Sequence, residues 1–230
     1  MTSLVLMSIF FGVFSFWFFG SPGEATSVEA FKKWDAERNL MLEKQKLMTV
    51  EILSENFKYQ DIELIYIGPG KPYFSWWGHL LLRFVGSGTS PEMDFALGFV
   101  ADFNDFPLDK YKGLFGGYTV LPKIDTIKNF HHEYAEVSAR EFVRYQLKST
   151  QLQRDKLLGN LKEWLRDPSL PGSYSFAQNN CVGLMAKLMV QSNFEQLQDY
   201  GYFPKTFILD LQNKGLVSAA NMELINVRSY

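Results

Sequence analysis

The chain has 230 residues, of which 47% are hydrophobic, 16% aromatic and 21% charged, with a formal net charge of −2. That length suits one domain, or one domain with appendages, and 21 phenylalanines supply a substantial core. Near-neutral charge, with no block of like charges, argues against a nucleic-acid surface or a charged tail. Residues 4–20 form an uncharged, mostly apolar run followed by Ser21-Pro22-Gly23-Glu24-Ala25. The run resembles the apolar region of an export signal, with Gly23 and Ala25 as the −3 and −1 residues of a cleavage site, although no Lys or Arg precedes Lys32. An uncleaved anchor and a buried core helix are the alternatives, the run being slightly shorter than the ~20 residues that span a bilayer. No cysteine lies near its end, which excludes a lipoprotein signal.

Over residues 27–57 the spacing of Phe31, Trp34, Leu40, Met41, Leu47, Met48, Ile52 and Leu53 predicts one long helix or two. Residues 62–67 read as a strand that stops at the turn Gly68-Pro69-Gly70, and 71–77 as an aromatic loop. Strands are predicted over 80–85 and 93–100, separated by the turn at 86–91. Residues 102–117 read as a loop, 118–121 as a short strand and 141–147 as a further strand. Thr150 with Gln153 makes a capping box for a helix to about residue 167, with Leu157, Leu158, Leu161, Trp164 and Leu165 on its apolar face. Another helix starts near Cys181, and Pro204 opens a last one that Gly215 stops. The pattern predicts an α+β fold: residues 1–25 a signal or anchor, 26–60 a helical segment, and 61–230 the main domain.

Cys181 is the sole cysteine, so an intrachain disulfide is excluded. A buried inert thiol, an intermolecular bond and a reactive thiolate remain open. The helix start favours the last, because helix N-termini lower thiol pKa values. A thiol nucleophile needs a base, and the histidines are His79, His131 and His132. His131 and His132 adjoin in a polar stretch and read as a solvated surface pair. His79, beginning a strand, is either the catalytic base or a strand histidine satisfied by a carbonyl. One cysteine and three histidines form no standard zinc spacing, and Gly68-Pro69-Gly70 is too short for a phosphate loop. Neither metal nor cofactor is therefore expected.

Gly78-His79-x-x-x-Arg83 after an aromatic loop, an aspartate (Asp94) opening the next strand, and Asn180-Cys181 at a helix start form one ordered set of motifs. With Ile67-Gly68-Pro69-Gly70 upstream and Tyr174-x-Phe176 downstream, they resemble the DUF4105 family over roughly residues 62–189. This is the family of the N-terminal periplasmic domain of Lnb-type lipoprotein N-acyltransferases. The His-before-Cys order is also similar to circularly permuted NlpC/P60 thiol enzymes. The resemblance implies a permuted NlpC/P60 (papain-like) antiparallel sheet with packed helices, located in the periplasm or cell envelope. It further implies a Cys-His pair acting on an acyl group through a thioester, with Cys181 as nucleophile and His79 as base and then acid. Val182 stands where the family often has Thr.

Asp94 is the expected third group, fixing the imidazole, with a solvated carboxylate as its other reading. Trp76, Trp77 and Phe74 line an acyl groove or pack in the core. Arg83 pairs with a substrate phosphate or carboxylate, or makes a strand salt bridge. The backbone N–H of Cys181 and the Tyr174 hydroxyl are expected oxyanion donors, Tyr174 alternatively packing. Asn180 touches substrate or caps the helix. The expected function is an exported thiol acyltransferase or hydrolase with a lipid or lipoprotein acyl substrate at a membrane surface, and no nucleic acid. A cell-wall peptidase or amidase, and a non-catalytic envelope domain binding lipid or protein, are the alternatives.

Overall fold

Strand alternation decides which side chains of this chain share a surface. In the computed structural model, which describes residues 28–71, 75–105, 109–194, 197 and 203–218, strand β1 (Asp61–Ile67) pairs antiparallel with β2 (His79–Val85). Their register runs from Asp61↔Val85 to Ile67↔His79. Strands β3 (Phe95–Asp102), β4 (Tyr118–Thr126), β5 (Phe142–Gln146) and β6 (Ser173–Tyr174) complete a six-stranded antiparallel sheet of order β5-β1-β2-β3-β4-β6. The helices are α1 (Val28–Leu53), α2 (Lys110–Phe115), α3 (Ile127–His131), α4 (Gln151–Arg166), α5 (Cys181–Gln191) and α6 (Pro204–Asn213). The fold is α+β, an antiparallel sheet with packed helices, as the sequence pattern predicts. The expected export segment and Phe74 lie outside the described residues.

Leu80, Leu82 and Phe84 join the larger core with Leu157, Leu161 and Trp164 of α4, Leu184, Met185 and Leu188 of α5, and Phe207 and Leu211 of α6. Leu81 points the other way, into a smaller core with Ile65, Ile67, Ala96, Ile127, Phe130 and Tyr134. By the same alternation His79 and Arg83 belong to this second face. It is roofed by α3 and by the π-helical turn His132–Val137. At the C-terminal end of β1 and the N-terminal end of β2, the backbone enters the site.

Within the stretch expected to hold one helix or two, Val28–Leu53 form one. It is tied to the sheet by the Arg38–Asp102 ion pair at 2.8 Å, by Lys44–Asp125, and by the Ile124 N–H donating to Gln45 Oε1 at 2.6 Å. The stretch expected as a loop over 102–117 holds the short α2, whose N–H groups at Tyr111 and Lys112 are capped by Asp109. β4 is longer than the expected 118–121, continuing past Pro122, which faces Phe99. The capping box at Thr150 and Gln153 is present.

Candidate functional site

The site begins with a helix cap. Asn180 Oδ1 accepts from the N–H groups of Val182 and Gly183 at 3.0 and 3.1 Å, and Nδ2 donates to the Phe176 carbonyl at 3.1 Å. The amide is thereby fixed as the N-cap of α5 and makes Cys181 the first helical residue. Cys181 is only 6% exposed. Its Sγ accepts from the backbone N–H of Leu80, the residue after His79, and from those of Val182 and of Cys181 itself. β2 pairs with β3 at Leu82↔Leu97 and Arg83↔Ala96, and the Leu80 N–H goes to the thiol. Burial pushes the thiol up to about 11, outweighing these N–H donors and the charge of Arg140. The thiolate expected from the helix start is therefore not the resting form, because desolvation is the larger effect.

His79 is placed by two glycines. Gly78 has φ +88, and a Cβ there would lie 2.5 Å from the Ile67 carbonyl oxygen. A Cβ on Gly98 would lie 2.7 Å from His79 Nε2, so β3 leaves space for the imidazole. The ring is 9% exposed, 6.2 Å from the Tyr134 ring, and its Nε2 is buried without a hydrogen-bond partner. Burial, followed by the charges of Arg140 and Lys123, presses His79 down to about 3. Histidine and thiol are thus both neutral at pH 7. They are joined through the Leu80 backbone rather than by a direct hydrogen bond.

Asp94 does not orient His79. Its carboxylate accepts from Arg83 Nε and Nη2 at 3.0 and 2.6 Å and from the Gly88 N–H at 3.0 Å. Arg83 also donates to Glu63 at 2.7 Å and to the Pro91 carbonyl at 3.0 Å. It lies four residues along β2 from His79, about 13 Å at strand rise. The pair is almost wholly buried. Arg83 and Asp94 are therefore occupied by structural partners that alternation alone does not reveal.

The Tyr174 hydroxyl accepts from the Cys181 backbone N–H, and burial raises its pKa well above the ordinary tyrosine value. Trp76 and Trp77 are 57% and 40% exposed, with Trp76 Nε1 donating to the Lys71 carbonyl and the Trp77 ring tilted at 56° to that of Phe203, 6.2 Å away. Exposed Tyr111, Leu114 and Phe115 of α2 flank the segment leading to Cys181. The Ser175 hydroxyl donates to the Leu114 carbonyl at 2.8 Å, and the Phe176 N–H to that of Gly113 at 3.0 Å. His131 and His132 meet Glu136 at 3.3 and 2.6 Å.

Three residues outside the expected set surround His79. Lys123 is bound to Glu133; burial opposes its charge, but Glu133, Tyr134 and Asp125 together outweigh that and raise its pKa. Tyr134 is pushed up to about 12 by burial. Arg140 is 8% exposed, 5.0 Å from the Tyr134 ring, and donates from Nε to the Gly68 carbonyl at 2.7 Å. All three fall within residues 122–140, which lack a readable period.

An antiparallel sheet with a cysteine-headed helix on one face, beside a strand that begins with histidine, defines an α+β domain with a buried thiol site. The chain belongs to the Lnb N-terminal periplasmic domain family, whose profile matches residues 49–206. Comparison with curated proteins and with solved structures gives no match. Membership of a periplasmic-domain family makes this an exported, envelope-associated protein. Among the described residues, no helix is long and apolar enough to cross a membrane.

Proposed function

We propose that this domain is a thiol-dependent acyltransferase or hydrolase of permuted NlpC/P60-like type. The observation that carries the reading is the contact of Cys181 Sγ with the Leu80 N–H, which sets the nucleophile against the start of the strand bearing His79. Sγ attacks an acyl carbonyl as its proton passes to His79, and the oxyanion is held by the Tyr174 hydroxyl, which the Cys181 N–H polarises. Collapse expels an alcohol or amine, which takes the proton back from His79 and leaves a thioester on Cys181. Water or an amine then attacks the thioester and restores the thiol. With both groups neutral at rest, His79 acts as general base rather than as half of a preformed ion pair. Exposed Trp76 and Trp77 suit an acyl chain of a lipid or lipoprotein presented at a membrane surface.

The deeply buried neutral thiol favours a second reading, a non-catalytic lipid- or protein-binding envelope domain. Incubation with diacylated lipoprotein, phospholipid and muropeptide, followed by intact mass, separates the two. An acyl adduct on Cys181 that hydroxylamine removes, absent in Cys181→Ala and strongly reduced in His79→Ala, is the expected result. Muropeptide cleavage with untouched lipids would transfer the domain to the peptidases. No adduct from any of the three would leave the binding reading.

A further inference from the structure

The Gly68-Pro69-Gly70 turn has no part in the chemistry above, yet it closes around Arg140. Arg140 Nε donates to the Gly68 carbonyl at 2.7 Å, and its backbone N–H donates to the Tyr134 carbonyl at 2.9 Å. A Cβ on Gly70 would come within 3.3 Å of Arg140 Cδ and 2.5 Å of Ser75 Oγ, so position 70 must lack a side chain for so close an approach. Tyr134 covers the guanidinium at 5.0 Å and is delivered by the π-helical turn, a rare distortion common at functional sites. Ala139, just before Arg140, has φ +49, a left-handed conformation that costs energy for a residue with a Cβ. Several elements thus hold one buried cation in place.

Among the described residues that cation makes no ion pair, and the charge of Glu133 reaches it only at longer range. Arg140 Nη2 is buried and makes no hydrogen bond, whereas Lys123 has Glu133, and Arg83 has both Asp94 and Glu63. His79 Nε2 is buried and unbonded as well. Buried polar atoms are nearly always satisfied, and a charged donor left unmade is the more costly case. Both orphans lie at one end of the sheet, where Ile67 faces His79 on β2 and Phe142 on β5, two residues after Arg140. The Arg140 charge is felt at His79 and at Cys181 alike.

We infer that Arg140 is a substrate-binding residue that frames, with His79, a buried anion subsite beside Cys181, filled by an anionic oxygen of a phosphate or carboxylate on the substrate. This rests on Cys181 being the reacting thiol and adds the charge of what reaches it. An anion on Arg140 screens its repulsion of a protonated imidazole, so binding raises the proton affinity of His79 when the base is needed.

The test is the alkylation rate of Cys181 in the full chain with iodoacetate, which is anionic, against iodoacetamide, which is neutral and of similar size. The subsite should favour iodoacetate by about tenfold relative to the ratio for free cysteine, one decade being the effect of a unit pKa-scale interaction. Arg140→Gln should return the ratio to that of free cysteine, and Arg140→Lys should keep part of the preference. Inorganic phosphate and dodecyl phosphate are added as protecting anions. Protection by dodecyl phosphate alone points to a lipid headgroup, and protection by inorganic phosphate to a free anion. The parent ratio needs no variant, so a misfolded Arg140→Gln does not blunt the test. A parent ratio equal to that of free cysteine, a thiol closed to both reagents, or protection by neither anion would overturn the subsite. Acyl-enzyme formation without charge preference would sink the subsite alone; charge preference without acyl-enzyme would sink the catalytic reading alone.

Discussion

Cys181 and His79 illustrate how burial overrides a local electrostatic argument. Three backbone N–H groups and Arg140 all favour the thiolate, yet desolvation leaves the thiol at about 11. Alkylation by neutral iodoacetamide should therefore rise about tenfold per pH unit from pH 7 to 10 without levelling, since the rate follows the thiolate fraction. A plateau near pH 7 would show that the helix start wins after all. The histidine depends on a neighbour just as closely. Gly98→Ala would put a methyl 2.7 Å from His79 Nε2 and 2.6 Å from Leu81 Cδ2. Overpacking of this kind costs about 1–3 kcal/mol, measurable as a lower denaturant midpoint, and it should also slow acyl-enzyme formation by displacing the ring. Unchanged stability and rate would mean that β3 does not set the imidazole position.

Among the elements, β2 carries two different polar devices on one face, His79 at the site and Arg83 in a buried ion pair. Asp94→Asn leaves Arg83 buried without its closest charge, and breaking such a pair costs about 3–5 kcal/mol. The urea midpoint should fall accordingly, while the acyl adduct on Cys181 should still form under conditions where the variant is folded. Full stability with loss of the adduct would instead return Asp94 to the orienting role. This pair also marks the limit of what the sequence discloses. Period and caps are local, so β1, β2, the Thr150 capping box and the Asn180 helix start are legible, and alternation puts His79 and Arg83 on one face. Which carboxylate meets Arg83 depends on how the 86–93 turn folds back, and no spacing encodes that. α2 and β6 are too short for any period, while Arg140 reaches the site only because the π-helical turn and the Gly68 carbonyl bring it there.

At the scale of the molecule, a neutral histidine buried beside two cations makes folding sensitive to acid. His79 sits near 3 in the folded protein, against about 6.5 when unfolded. Between those values the unfolded chain binds the extra proton, so stability rises with pH through the window and is lost as pH falls from about 6.5 toward 3. The slope from one such group is at most ~1.4 kcal/mol per pH unit. The groups facing His79 are Arg140, Lys123 and Tyr134, and Lys123 is in turn bound to Glu133. All of them are retained in His79→Gln, so their own contributions largely cancel when the two proteins are compared. The difference in unfolding free energy should be flat above pH 6.5 and shift steadily in favour of His79→Gln below it. A difference that stays constant down to pH 4 would mean the imidazole can take up a proton in the folded state. The neutral resting pair, and with it the need for a bound anion to raise the proton affinity of His79, would then be withdrawn.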